Sequence, residues 1–274
     1  MDRRLTPSNG RVAHTSLQGQ LAAERYVDGE ITQVNTSVTN LLREAGSGGR
    51  ERQLLYGDHF RVLETVSGFA FGQALKDGYV GYITNTDLSD PVDATHIVAT
   101  RGTHLYPSAN MKSPEIMPLS FGSRLRIVSA QDTFFETHEG YFVPKNHLRP
   151  AKAHFNDLAS VAQLFFGTPY LWGGNSNAGI DCSGLVQTAL LACGYDCPGD
   201  ADLQQQTVGN LTNDTEVKRG DLFFWKTHVA IAVDDKTLIH SNAGAMSTTY
   251  EPIDVAIERI AAGGEGPVTS RKRV

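Results

Sequence analysis

Cys182, His228 and His240 are the residues whose types and spacing can do covalent chemistry together. From Cys182 the chain reads as one short helix. Leu185, Val186, Ala189, Leu190 and Cys193 recur at the i, i+3, i+4 spacing of a buried stripe. Asp181 is a natural N-cap, and Gly194 stands where a helix ends in a left-handed residue. Cys182 therefore falls in the first helical turn, where unpaired N–H groups and the helix dipole favour the reactive thiolate. A free cysteine more often just opens a core helix, so the chemistry needs a base. His228 opens one apolar strand and His240 closes the next, with Asp234-Asp235-Lys236 as a three-residue hairpin loop between them. In that register His240 lies opposite Ala230 and His228 opposite Asn242. The two histidines then share one face as diagonal neighbours, roughly 7–8 Å apart at the backbone. A two-residue loop would put them on opposite faces. Each histidine alone reads as a satisfied strand-end residue; together, after a helix-capping cysteine, they read as a nucleophile, its base and a group that orients the base.

The elements that must position these residues lie between Pro150 and the C-terminus. Asn156 to Phe166 is an amphipathic helical stretch that stops at Gly167. The Gly- and Asn-rich run up to Cys182 excludes regular structure. Beyond the cysteine helix come a polar loop from Gly199 to Asn213 and strands over 221–225, 228–233 and 237–240. A helix near Asp254 to Ile260 precedes a Gly- and Arg-rich tail expected to be loose. This is an α+β plan. Upstream, residues 57–64 (GDHFRVLE) are echoed by residues 122–129 (GSRLRIVS), each followed by an aromatic strand and a Gly turn. The repeat predicts two small β-barrels. The expected organisation is an extension and linker over 1–51, barrels over 52–90 and 91–150, and the α+β domain over 151–274. Helical turns are expected around residues 17–27 and 34–44, and a linker at 46–49.

Composition removes several classes of function. A net charge of −6 over 274 residues offers no surface for nucleic acid or anionic membrane. No stretch approaches the ~20 apolar residues of a membrane span. MDRRLTPSNG has arginines without a following apolar run, so an uncleaved signal peptide is not expected and the cytoplasm is the expected location. Three cysteines are too few for a disulfide framework. Cys193 and Cys197 lack two further ligands at zinc spacing, and core packing accounts for Cys193. Gly173, Gly174 and Gly179 are not followed by the lysine of a phosphate loop. No metal or cofactor is expected; oligomeric state is left open.

The residues 169–174 (PYLWGG), 181–185 (DCSGL), 219–222 (RGDL) and 228–231 (HVAI) follow one another as in the NlpC/P60 cysteine peptidases, papain-like enzymes that cut bacterial cell-wall peptides. The tandem upstream units resemble bacterial SH3-like domains. This resemblance implies that Cys182 is the nucleophile, His228 the base and His240 the orienting residue. It implies that Tyr170 lines the oxyanion site beside the Cys182 N–H, and that Asp181, assisted by Ser183, holds the free amine of a substrate. The arrangement is similar to the subfamily of γ-D-glutamyl-L-diamino acid endopeptidases. In these an acidic residue and a tyrosine of the first SH3-like domain close the groove, so that only a peptide with a free N-terminal L-Ala fits. Asp58 and Tyr79 are the candidates by position, with Glu64 and Tyr82 as rivals. Gly199 and Ala201 depart from the pattern, where an arginine and a small hydroxyl residue are expected. Asp200 or Asp202 is available to replace the missing contact. The implied partner is a small peptide, L-Ala-γ-D-Glu-diamino acid. The alternatives are an exported or phage-associated wall hydrolase and a non-catalytic wall-peptide binder.

Overall fold

Val34, Leu41, Leu54, Phe60, Ala70 and Ile83 are fully buried, and each comes from a different strand of one antiparallel sheet. They were located in a computed structural model that describes residues 1–212 and 214–274 and divides into two compact units, Met1–Ala153 and His154–Val274. The sheet runs Arg50–Leu55, Val38–Leu42, Val80–Thr84, Phe69–Ala74, His59–Val66, Glu30–Val34, Leu88–Ser89. Three of these strands lie where an extension, helical turns and a linker are expected from sequence. The strands are half-polar because one face is solvated, which blurs the alternation. Residues 46–49 are the hairpin turn between Val38–Leu42 and Arg50–Leu55, with Gly46 at a φ of 78°. Among the described residues the sheet stays open.

The rest of this unit is not a second closed barrel either. Residues 96–150 form three small antiparallel sheets around Val98, Leu105, Leu119, Leu125 and Val143, and upstream Val12–His14 pairs in parallel with Arg25–Val27. Tyr56, from the neighbouring sheet, completes that core. Tyr56 ties this core to the end of the Arg50–Leu55 strand, and among the described residues no sheet of this unit closes on itself.

The second unit places helices α1 (Leu158–Gln163), α2 (Cys182–Ala192), α3 (Ala201–Thr207) and α4 (Ile253–Ile260) around a six-stranded antiparallel sheet. Its strands are β1 (Asn210–Leu211), β2 (Leu222–Phe224), β3 (Val229–Ala232), β4 (Thr237–Asn242), β5 (Ser247–Pro252) and β6 (Ser270–Arg273). The order is β1-β6-β2-β3-β4-β5. The expected polar loop ended at Asn213, which lies outside the described residues; within it, Ala201–Thr207 is helical. The Arg-rich tail is not loose, because β6 pairs with β2. Arg273 there donates twice to the fully buried Asp221 (2.6 and 2.8 Å). Arg219, two residues before Asp221, donates to the α1 cap Asp157 (2.9 and 2.7 Å) and to the Val233 carbonyl (2.7 Å). The stretch 219–222 thus ties helix, hairpin and tail together.

Candidate active site

Helix α2 is apolar nearly all round, so it is a core helix. Asp181 caps it: Oδ1 accepts from the Gly184 N–H (2.6 Å) and the Ser183 hydroxyl (3.0 Å). Oδ2 accepts from the Gly173 N–H (2.9 Å). At the other end Gly194 has a φ of 85°, the Tyr195 N–H returns to the Leu190 carbonyl and the Gly194 N–H to Leu191. Both boundaries are where the sequence places them. Cys182 is 8 % exposed in the first turn. Cys193, expected inside, is half-buried, because it lies at the C-cap where the stripe runs out.

The loop before the helix is laced to it. Leu171 N–H donates to the Ile180 carbonyl (3.1 Å), and Asp181 N–H to Gly174 (3.2 Å). Tyr170, half-buried, pairs alongside Ile180, which lies two residues upstream of Cys182. Two adjacent glycines permit this for different reasons. Gly173 has a φ of 68°, whereas a Cβ on Gly174 would sit 2.5 Å from the Gly179 carbonyl oxygen. Gln204 of α3, fully buried, donates to the carbonyls of Ser183 (2.9 Å) and Pro198 (3.0 Å) and so holds the 198–201 loop beside the helix start. Gly199 and Ala201 are buried within that loop, and Asp200 is the N-cap residue of α3. No motif in the sequence singles out Gln204.

The histidine hairpin has the three-residue loop. Ile231 faces Ile239 and Ala232 faces Leu238, the register that sets both histidines on one face. His228 Nε2 and His240 Nδ1 are 2.9 Å apart. Helix α2 packs on β3 and β4, and the Ser241 hydroxyl donates to the Ile180 carbonyl (2.7 Å), linking the histidine strand to the segment just before Cys182. Glu251 on β5 and Arg259 on α4 continue the row. His240 Nε2 lies 3.0 Å from Glu251 Oε2, and Arg259 donates to both Glu251 oxygens at 2.7 Å. Sequence alone does not single out either residue. Burial pushes His228 down to about 3, helped by His240 and Arg259. Burial pushes His240 down to about 4, with Glu251 pulling it up and Arg259 down. Both rings are therefore neutral near pH 7.

Within the N-terminal unit the two first-barrel candidates are buried. Asp58 is 4 % exposed, accepts from the Leu55 N–H (2.9 Å) and is paired with Lys76 at 2.6 Å. Tyr79 is 1 % exposed. The turn at Gly57 folds Asp58 back onto the end of its own hairpin strand at Leu55. The rivals lie together instead: Asn9 Nδ2 donates to Glu64 Oε2 (3.0 Å) and the Tyr82 hydroxyl (3.2 Å), with Tyr82 lining a cavity of about 560 Å³. Among the described residues no group of three or more His, Cys, Asp or Glu could hold a metal ion.

A helix that opens on a cysteine and packs on an antiparallel sheet carrying a histidine pair holds the parts from which a thiol hydrolase is assembled. Comparison with known proteins makes this specific. Residues 167–257 match the NlpC/P60 family and residues 41–88 the bacterial dipeptidyl-peptidase SH3 domain. The probable endopeptidase NlpC of Escherichia coli is 31 % identical over 121 residues, 38 % of this chain and 78 % of that one. The chain belongs to the NlpC/P60 family and is a peptidase of that family with an SH3-like domain. The γ-D-glutamyl-L-lysine dipeptidyl-peptidase of Bacillus cereus is 26 % identical over 237 residues, 74 % of this chain and 71 % of that one. The Bacillus subtilis protein of the same description is 29 % identical over 216 residues (70 % and 72 %). The solved structure of an NlpC/P60 family protein from Bacillus cereus superposes with a TM-score of 0.76 at 18 % identity, covering 89 % of this chain and 99 % of that one, which supports the fold.

Proposed function

We propose that the chain is a cysteine peptidase that hydrolyses the γ-D-Glu–diamino acid bond of free peptidoglycan peptides carrying an N-terminal L-Ala. The observation that carries this reading is the 2.9 Å His228–His240 contact on the hairpin packed against the cysteine's helix. The two relatives described as γ-D-glutamyl-L-lysine dipeptidyl-peptidases support the bond. In this mechanism the Cys182 thiol gives its proton to His228 and the sulfur attacks the γ-carbonyl carbon of D-Glu. The Cys182 N–H and Tyr170 stabilise the resulting oxyanion. His228 then protonates the departing amine, and water hydrolyses the thioester with His228 as base. A carboxylate beside the nucleophile would by itself oppose thiolate formation. The Asp181 carboxylate is held in place by the Gly173 and Gly184 N–H groups and the Ser183 hydroxyl, and in this mechanism it receives the substrate ammonium. Ser183 fixes the Asp181 carboxylate from the other side.

The test is incubation with L-Ala-γ-D-Glu-diaminopimelate and mass spectrometry of the products. The expected product is L-Ala-γ-D-Glu, absent with C182A. Release of free L-Ala, or no cleavage, contradicts the reading.

A further inference from the structure

We infer that Glu251 is a positioning residue for the histidine pair and that Arg259 fixes its charge, so that the Cys182 site runs on a row of Cys182, His228, His240 and Glu251; this rests on Cys182 as nucleophile and His228 as base. The row follows from hydrogen-bond bookkeeping. Glu251 receives two bonds from Arg259 at 2.7 Å, and Arg259 holds its carboxyl below the usual range. An ionised carboxylate only accepts. The His240 Nε2 atom is fully buried 3.0 Å from a Glu251 oxygen, within ion-pair range though not aligned as a hydrogen bond; a lone pair there would face the carboxylate's own, so this nitrogen carries the hydrogen. In the neutral ring Nδ1 is then the acceptor, and its neighbour at 2.9 Å, His228 Nε2, must be the donor. That leaves the lone pair of His228 on Nδ1, the nitrogen free to take the thiol proton. Glu251 thus selects the tautomer of both rings from two steps away, as a carboxylate behind a functional imidazole commonly does.

Sheet geometry supplies the placement. Glu251 faces Leu238 in the β4–β5 ladder, His240 faces Thr249, and residues 249 and 251 share a face. Glu251 is thus a diagonal neighbour of His240. Helix α4 starts directly after β5 and returns Arg259 over the carboxylate. Other elements packed against β4 add little charge. α1 and α2 contain no Asp, Glu, Lys or Arg, and Asp254 and Glu258 of α4 are exposed. His228, Glu251 and Arg259 are the charged or titratable groups acting on His240.

Glu251 should stabilise an imidazolium on the pair, while Arg259 offsets part of that charge. The two residues therefore act with opposite sign, which packing alone would not produce. The experiment is the rate of iodoacetamide alkylation of Cys182 against pH, followed by mass spectrometry of its peptide, in the full chain and in E251Q and R259M. A thiolate–imidazolium pair gives two inflections, the upper one marking loss of the imidazolium proton. We expect the upper inflection to move to lower pH in E251Q and to higher pH in R259M. The corresponding limb of kcat/KM should follow, with E251Q losing about tenfold or more. An unmoved inflection in both variants, or shifts of the same sign, overturns the inference while leaving Cys182 a nucleophile. A wild-type profile with one ordinary thiol inflection removes the nucleophile reading, and the inference with it. If E251Q does not fold, the imidazole nitrogen resonances of ¹⁵N-histidine-labelled wild type decide: a neutral His240 protonated on Nδ1 overturns the inference.

Discussion

Reactivity and exposure should run in opposite directions at Cys182 and Cys193. Cys193 is half-buried, whereas Cys182 is 8 % exposed at a helix N-terminus. Nucleophilicity follows thiolate fraction more than area, so iodoacetamide at neutral pH should label Cys182 first; Cys193 labelled first would mean that Cys182 has no depressed pKa. The histidines should separate in the same way. His228→Ala should lower kcat/KM about a thousandfold or more, because the proton itself loses its carrier. His240→Gln should keep a measurable fraction, since an amide can still accept from His228 Nε2. Steady-state kinetics giving the reverse order would exchange the two roles.

At the scale of elements, the site rests on a few covalently distant ties that differ in how readable they are. The cysteine helix and the histidine hairpin are legible in sequence because local chemistry sets them: a cap at Asp181, a left-handed Gly194, a three-residue loop at residues 234–236. Glu251 and Gln204 are not legible, since their roles depend on which strand or helix packs beside which. The tail reads as loose because SRKR lacks an apolar alternation, yet Arg271 and Arg273 answer the buried Asp221 just before β2. Arg273→Ala should therefore lower the melting temperature by on the order of 5 °C or more, by leaving a buried carboxylate short of a partner. An unchanged calorimetric transition would show that Arg271 suffices. In the loop before Cys182, Gly174→Ala forces a Cβ to within 2.5 Å of the Gly179 carbonyl oxygen. It should cost activity more than stability, because the displaced backbone is the segment that carries Tyr170.

For the whole molecule, the buried histidine pair links stability to pH. Both folded-state values, about 3 and about 4, lie below the ordinary 6.5. The unfolded chain thus binds protons that the folded chain refuses. Stability is fully present above about pH 6.5 and falls as pH drops toward 4, by about 1.4 kcal/mol per pH unit for each ring charged only on unfolding. Denaturant titrations of wild type and H240Q between pH 4 and 7 should show the shallower slope in the variant; equal slopes would mean that His240 is not held neutral.

The most direct test of the account compares kcat/KM for L-Ala-γ-D-Glu-diaminopimelate with that for its N-acetylated form. A protonated amine gains charge-assisted hydrogen bonds, each typically about 1.5–3 kcal/mol, that an acetylated one cannot make. The free peptide should be preferred by on the order of a hundredfold or more, each factor of ten corresponding to about 1.4 kcal/mol. Equal rates for the two peptides, or digestion of intact cross-linked wall, would contradict it.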